Sequence, residues 1–304
     1  MSDGSDAPPT AAPPHGGPGW INPNIQSKMA WRDDDVVVSV PGKSGTTWTM
    51  NIVHQLREKG DRNFEDIYAE VIWCEAMSTP DCTVDDMVKK MDGIDSGRPR
   101  AFKTHASPPI LPFQDKVKYV VVARNPEEAI VSMCSFVQKH SDEFLRSWGA
   151  PIEKFKFPNL EVFYNGFVKN SGFDKNIFKF VSEWWKLKEK DNVLMLHYSE
   201  MVADHEGSVK KISDFLGYGP YTDEEWQTIL ELTSWKWMKA NERRFEATTI
   251  WSVPPLVRGG MMRQGSSGLA RQEGISESMA NEIRERGKEE LTDEDAFEWL
   301  YNGG

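Results

Sequence analysis

Residues 36–48 read VVVSVPGKSGTTW. A run of β-branched residues ends at Pro41-Gly42, and a lysine, small hydroxylated residues and a tryptophan follow. Residues 36–40 have the short, continuous apolar character of a buried strand. Trp48, Met50, Ile52, Val53 and Leu56 suit a helix over residues 46–59, ending before Gly60. A turn from a strand into a helix N-terminus exposes backbone N–H groups and the positive end of the helix dipole. Such a turn is an anion site, and phosphate is its usual guest. Gly42 and Gly45 permit close approach of the backbone. Lys43 adds a point charge, and Ser44, Thr46 and Thr47 add hydroxyl donors. An ordinary strand-to-helix turn with a solvated lysine also fits a bare GKSG. The stretch is not the P-loop pattern G-x-x-x-x-G-K-[ST]: position 37 is Val, and Lys43 precedes the second glycine.

Outward from this turn, strands and helices alternate. Residues 101–103 form a short strand candidate, and KVKYVVVAR, ending at Arg124, is a buried strand. Asn125-Pro126 starts a helix, with proline in its first turn. FKFVSEWWKLKEK, residues 178–190, reads as an amphipathic helix and NVLMLHY as the next strand. GSVKKISDFLG reads as a helix closed by Gly217. The alternation predicts an α/β chain whose central, mainly parallel sheet is flanked by helices in three layers. Ligands of such sheets bind beyond the carboxyl ends of the strands. Lys43, His105, Arg124 and Tyr198 fall at those ends.

With 304 residues the chain is long enough for one large α/β domain, expected over residues 20–304. Residues 1–19, rich in Pro, Gly and Ala, read as a disordered tail without a signal peptide's basic start and apolar run. No window approaches the roughly eighteen apolar residues of a membrane span. The net charge of -11 argues against broad binding to nucleic acid or anionic membranes. An anionic ligand therefore needs local positive charge. Three cysteines, Cys74, Cys82 and Cys134, with no CxxC spacing, argue against a disulfide framework or a zinc site. A reducing cytoplasm is the simplest compartment.

PGKSGTTW resembles the 5′-phosphosulfate loop of the cytosolic sulfotransferases, whose usual form is YPKSGTTW; Pro41-Gly42 before the lysine is the departure. The resemblance spans roughly residues 36–260 and four motifs in order. It implies a P-loop-related fold and 3′-phosphoadenosine 5′-phosphosulfate (PAPS) as donor, with adenosine 3′,5′-bisphosphate (PAP) as product and no metal. Lys43, Ser44, Gly45, Thr46 and Thr47 would then hold the 5′-phosphate, and Arg124 and Ser132 of YVVVARNPEEAIVSMCSF the 3′-phosphate. In FKTHAS, Lys103 and His105 alternate along a strand end and share a face. The family's histidine there is the general base and its lysine helps hold the sulfuryl group; an unperturbed pKa near 6.5 suits that base. Lys43 joins them as the third catalytic residue. Trp48 matches the family's adenine-stacking ring, as LHYSEM matches Tyr198 and TSWKWMKAN matches Thr233 and Trp235 to adenine contacts. VRGGMMRQGSSG matches Arg258 and Gly260 of the last donor motif. Gly259 stands where the family has lysine, and Arg263 and Arg271 are the neighbouring cations available to replace it.

Trp20, Trp73, Met77, Phe136, Trp148 and Phe245 lie in segments that line the family's acceptor pocket, which suits a small, largely ring-like acceptor carrying a hydroxyl or amine. Glu75 in the same stretch leaves a cationic acceptor open. The family's dimer motif is not evident near the C-terminus, so oligomeric state stays undecided. Two readings compete. A P-loop kinase needs a lysine after the second glycine and an Asp for magnesium. A non-catalytic nucleotide-binding protein needs only the donor half of the site.

Overall fold

The computed structural model describes residues 18–94 and 97–303. The tail expected over residues 1–19 lies outside the described residues, apart from Pro18 and Gly19. Five strands form one sheet in the order β2-β3-β1-β4-β5: β1 Val36–Ser39, β2 Ile72–Trp73, β3 Ala101–Thr104, β4 Lys118–Ala123 and β5 Val193–His197. All four pairings are parallel, with Val36 opposite Ala101 on one side and Lys118 on the other.

The continuous apolar run of β1 follows from burial on both faces. Side chains alternate along a strand. Val36, Val38 and Val40 therefore pack toward helices Thr46–Arg57, His205–Leu216 and Asp223–Thr233. Val37 packs toward helices Pro126–Gln138, Phe173–Trp185, Glu277–Lys288 and Glu294–Asn302. β4 divides in the same way, with Val120 and Val122 on the first face and Tyr119, Val121 and Ala123 on the second. Among the described residues no helix is long and apolar enough to cross a membrane.

The chain leaves β1 toward the β2–β3 side and leaves β4 toward β5. Between β1 and β4 the connections diverge, which opens a crevice at the carboxyl ends of the strands. The end of β1 is pinned there by Ser39. Its hydroxyl donates to the Ala106 carbonyl (2.8 Å) and accepts from Trp184 Nε1 (3.0 Å).

One helix differs from the expectation. It spans Phe173–Trp185, not residues 178–190. Gly172, with φ 66°, ends the preceding turn and sets the start. The buried stripe Ile177, Phe180, Val181 and Trp184 is continued only by the part-buried Leu187, while Lys186, Lys188, Glu189 and Lys190 are exposed. One apolar residue does not extend the buried stripe by a further turn, and residues 186–190 leave as turns.

At the opposite end of β1, Asp35 and Arg100 form a buried pair, 1% and 3% exposed. Arg100 donates Nε to Asp35 Oδ1 (2.8 Å) and Nη2 to Asp35 Oδ2 (2.5 Å). Its remaining donors reach the Met91 and Ala30 carbonyls. Asp35→Ala leaves this guanidinium buried without a counter-charge, and the expected loss is about 3–5 kcal/mol. Denaturant unfolding checks it; an unchanged midpoint would show that the pair does not hold β1 to β3.

Candidate active site

A cleft of about 1250 Å³ lies over the carboxyl ends of the strands and takes in the turn after β1. Gly45 adopts φ 98° as the residue before helix Thr46–Arg57, and no side chain caps that helix. A Cβ on Gly45 would also lie 2.8 Å from the Tyr198 ring, so this position requires glycine on two counts. Lys43 is itself in the left-handed region, φ 66°. Its ammonium lies over the Phe136 ring, 4.3 Å from the centroid. Ser44 Oγ and Thr46 Oγ1 are buried and find no hydrogen-bond partner among the described residues. Buried hydroxyls are normally paired. Thr46 lines the cleft, and with the uncapped first turn it offers donors to an anion's oxygens; Ser44 is fully buried and is not among the lining residues.

Arg124 follows β4 directly. It donates Nη1 to the Lys43 carbonyl (3.3 Å), Nη2 to the Ser266 carbonyl (3.0 Å) and Nε to Glu128 Oε2 (2.8 Å). Its guanidinium lies 4.3 Å from the Tyr198 ring centroid. Ser132, two helical turns on, lines the same cleft. Arg263 also lines it, ion-paired with Glu273 but with a buried Nε left without a partner. Burial, followed by the charges of Arg124, Arg263 and Lys139, pushes Lys43 down to about 7. The site is thus locally cationic in an acidic chain.

Beside the turn, Lys103 and His105 meet as their alternation predicts. Lys103 Nζ is 2.7 Å from His105 Nε2 and 3.3 Å from the Trp73 ring centroid. His105 Nδ1–H donates to the Val40 carbonyl (2.7 Å), which leaves Nε2 as the lone-pair nitrogen facing Lys103. Burial and the Lys103 ammonium push His105 down to about 3, far from the ordinary value expected from sequence. Burial lowers Lys103 to about 7, against the opposing charge of Glu75. Glu75 is buried, and its Oε2 accepts from Trp73 Nε1 (2.8 Å) and the His105 backbone N–H (2.9 Å). It is committed to these partners before any cationic acceptor arrives.

The remaining expected residues divide. Thr47, Trp48, Tyr198 and Trp235 line the cleft. Thr233 lies behind it: its hydroxyl donates to the Ile229 carbonyl (2.8 Å), and its own carbonyl holds Trp48 Nε1 (2.8 Å). Gly260 is buried in a turn beside Leu256 and Lys139. Arg258 is exposed and faces a separate polar pocket with Lys239 and Arg243. Gly259, with φ 74°, turns the backbone there, and the cation delivered to the cleft is Arg263. Arg271 is half-exposed beside Glu127 (3.3 Å).

Of the six expected acceptor residues, Trp20, Trp73 and Phe136 form walls. Trp148 stands behind Trp20, edge-on at 6.2 Å. Met77 packs with Ile25 and Met29, and its carbonyl accepts from Trp251 Nε1 (2.7 Å). Phe245 is fully buried against Phe64 and Trp237. Tyr68, His140, Phe144, Phe155 and Trp251 are among the further lining residues and were not singled out from sequence. His140 had a signal: Ser132, Phe136 and His140 recur at four-residue spacing. Trp251 lies in a loop with no local signature.

Residues 33–295 match a family described as a sulfotransferase domain. Rat sulfotransferase 2A1 is 28% identical over 249 residues, which cover 81% of this chain and 80% of the rat protein. Bovine sulfotransferase 1A1 is 29% identical over 253 residues, covering 80% and 79%. A crystal structure of mouse sulfotransferase SULT7A1 complexed with PAP shares the fold, with TM-score 0.67 and 23% identity over 91% of this chain and 90% of that one. Retinol dehydratase in complex with androsterone and PAP gives 0.68 and 22%, over 89% and 84%.

Lys43 and Lys103 are expected to react as neutral amines near neutrality. Competitive acetylation followed by peptide mass analysis should give both half-maximal labelling near pH 7, with surface lysines near the usual 10.4. Labelling of both with the surface set would refute the desolvated site.

Proposed function

Because the chain belongs to the sulfotransferase family, we propose that it moves a sulfuryl group from PAPS to a hydroxyl or amine of a small, largely apolar, ring-containing acceptor in the cytoplasm. One observation carries the reading: the Lys103–His105 contact, the Lys43 ammonium and the partnerless Thr46 hydroxyl meet in one cleft. The donor, when bound, supplies an activated sulfuryl group whose leaving group is PAP.

In this reading Lys43, Ser44, Gly45, Thr46 and Thr47 hold the 5′-phosphate through backbone N–H groups, hydroxyls and one ammonium. Arg124 and Ser132 hold the 3′-phosphate, with Arg263 in the part that sequence assigned to Arg258. Trp48, Tyr198 and Trp235 flank the adenine. Thr233 supports Trp48 from behind, and Gly260 shapes the turn that leads to Arg263.

His105 Nε2 takes the acceptor's proton as the acceptor oxygen or nitrogen attacks sulfur in line. Its low basicity in the free protein comes partly from Lys103. Lys103 leaves Nε2 for the sulfuryl oxygens, which frees the lone pair and raises its proton affinity at the moment it is needed. The Nδ1–H bond to Val40 keeps Nε2 as the basic nitrogen throughout. Lys43 follows the charge that builds on the departing phosphate oxygen, and this adds to rate more than to donor affinity.

Calorimetry and transfer of labelled sulfuryl to a panel of phenols and amines test the reading. PAP should bind at least tenfold tighter than ATP, and transfer should follow. His105→Ala should lower turnover on the order of 10²–10⁴-fold while PAP affinity stays within about twofold. A preference for ATP would favour the kinase reading, and PAP binding without transfer the non-catalytic one.

Arg263→Ala should weaken PAP about tenfold or more and adenosine 5′-phosphate much less, because a charge-assisted bond to the 3′-phosphate is lost. Arg258→Ala should leave both nearly unchanged. The opposite ranking by calorimetry would return the 3′-phosphate to Arg258.

A further inference from the structure

The aromatic part of the cleft holds a buried imidazole that the transfer chemistry does not use. His140 is 6% exposed and lies just past helix Pro126–Gln138. Its Nδ1–H donates to the Val137 carbonyl (3.1 Å). Its Nε2 has no hydrogen-bond partner among the described residues, and the residue lines the cleft. The ring is enclosed by Phe136, Phe155, Trp20 and Phe144, with centroids 5.0, 5.4, 5.8 and 6.2 Å away.

Its backbone is fixed. His140 bridges Leu256, Ser141 N–H donates to the Pro255 carbonyl (3.0 Å), and Val257 N–H donates to the Lys139 carbonyl (2.9 Å). Burial is the main force that pushes the imidazole down to about 4, with Lys43 and Lys156 adding to it. At neutral pH the ring is therefore uncharged, and the Nδ1–H bond leaves Nε2 as a hydrogen-bond acceptor. It is a fixed acceptor in an apolar wall.

Ring contacts place His140 relative to the reacting groups. Phe136 touches His140 on one side and lies under Lys43 on the other. Phe144 leads to Trp251 (5.1 Å), Trp251 to Trp73 (6.0 Å), and Trp73 to His105 (5.4 Å). A flat acceptor lying along this wall has one end at His105 and its body against the rings beside His140. A purely apolar body would strip water from Nε2 and give it nothing in exchange. A site that presents a buried polar group rejects ligands that leave it unpaired.

We propose that His140 is a specificity residue whose Nε2 accepts a hydrogen bond from a second hydroxyl on the acceptor, remote from the hydroxyl that is sulfated. The acceptor class is then an aromatic or ring-containing diol, not a mono-alcohol. This rests on the sulfotransfer reading above.

The test is binding to the enzyme–PAP complex, which needs no turnover. The probes are naphthalene-2,6-diol, its monomethyl ether 6-methoxynaphthalen-2-ol, and naphthalen-2-ol. The ether keeps the rings and the second oxygen but cannot donate from it; naphthalen-2-ol lacks that oxygen and controls for the bulk of the added methyl. Wild type should bind the diol about tenfold tighter than the ether, after the twofold statistical factor of a symmetric diol is removed. His140→Phe keeps a ring and removes the acceptor nitrogen, so the preference should vanish. His140→Gln restores an acceptor and should recover part of it. If His140→Phe does not fold, as judged by thermal unfolding, His140→Met takes its place. Equal binding of diol and ether to wild type, an undiminished preference in His140→Phe, or no binding of any probe would each overturn the proposal. Transfer of labelled sulfuryl to naphthalen-2-ol by wild type reports the underlying reaction separately.

Discussion

The hydrogen bond from Arg124 Nη1 to the Lys43 carbonyl joins the ends of β1 and β4, and the rest of the site depends on it. It crosses the crevice that the diverging connections open, and it holds a lysine whose backbone is in the left-handed region. A non-glycine residue there needs surrounding structure to fix it. The same guanidinium donates to the Ser266 carbonyl and so draws residues 261–266 over the cleft, which brings Arg263 in. Glu128 balances Arg124 from the following helix and keeps its fork aimed. One side chain thus sets the turn, the adjoining helix and the covering segment in register.

The charges at this centre are held at a cost. Lys43 and Lys103 are both lowered to about 7, mainly by burial. Between pH 7 and the ordinary lysine value of 10.5, the unfolded chain carries protons on these two groups that the folded chain has released. Stability from the pair therefore rises with pH across that window. A bound anion has the reverse effect on their protonation: it favours both ammonium forms and stabilises the folded state by mass action. The site is cationic in proportion to what occupies it, and this reconciles anion binding with a chain of net charge -11.

The cleft has two ends built on different terms. The cationic end presents backbone N–H groups, short hydroxylated side chains and cations, all set by the ends of β1 and β4. The aromatic end is made of rings brought from widely separated segments, with Trp20, Phe136, Phe144, Phe155 and Trp251 among them. Between the two lie Trp73, whose ring face meets the Lys103 ammonium, and Glu75, which accepts from the Trp73 indole N–H and the His105 backbone N–H.

The sequence by itself determined the parts of this protein whose physics is local. The β-branched run before Pro41, the glycine at position 45 and the alternation of Lys103 with His105 each act within a few residues, and period and turn chemistry make them readable. Parallel strands buried on both faces announce themselves as apolar runs, so β1, β3, β4 and β5 and the turn after β1 were legible; β2, two residues long, was too short to be read. Tertiary structure alone decided what depends on residues distant in the chain. Phe245 and Met77 look like cleft residues in a linear segment but turn into cores, because Phe64, Trp237 and Ile25 reach them first. Arg258 yields the cleft to Arg263 because Gly259 turns the backbone between them. The basicity of His105 was also beyond local reading. A histidine's ordinary value is a property of the residue, but its value here is set by burial and by an ammonium 2.7 Å away, which only the folded chain brings together.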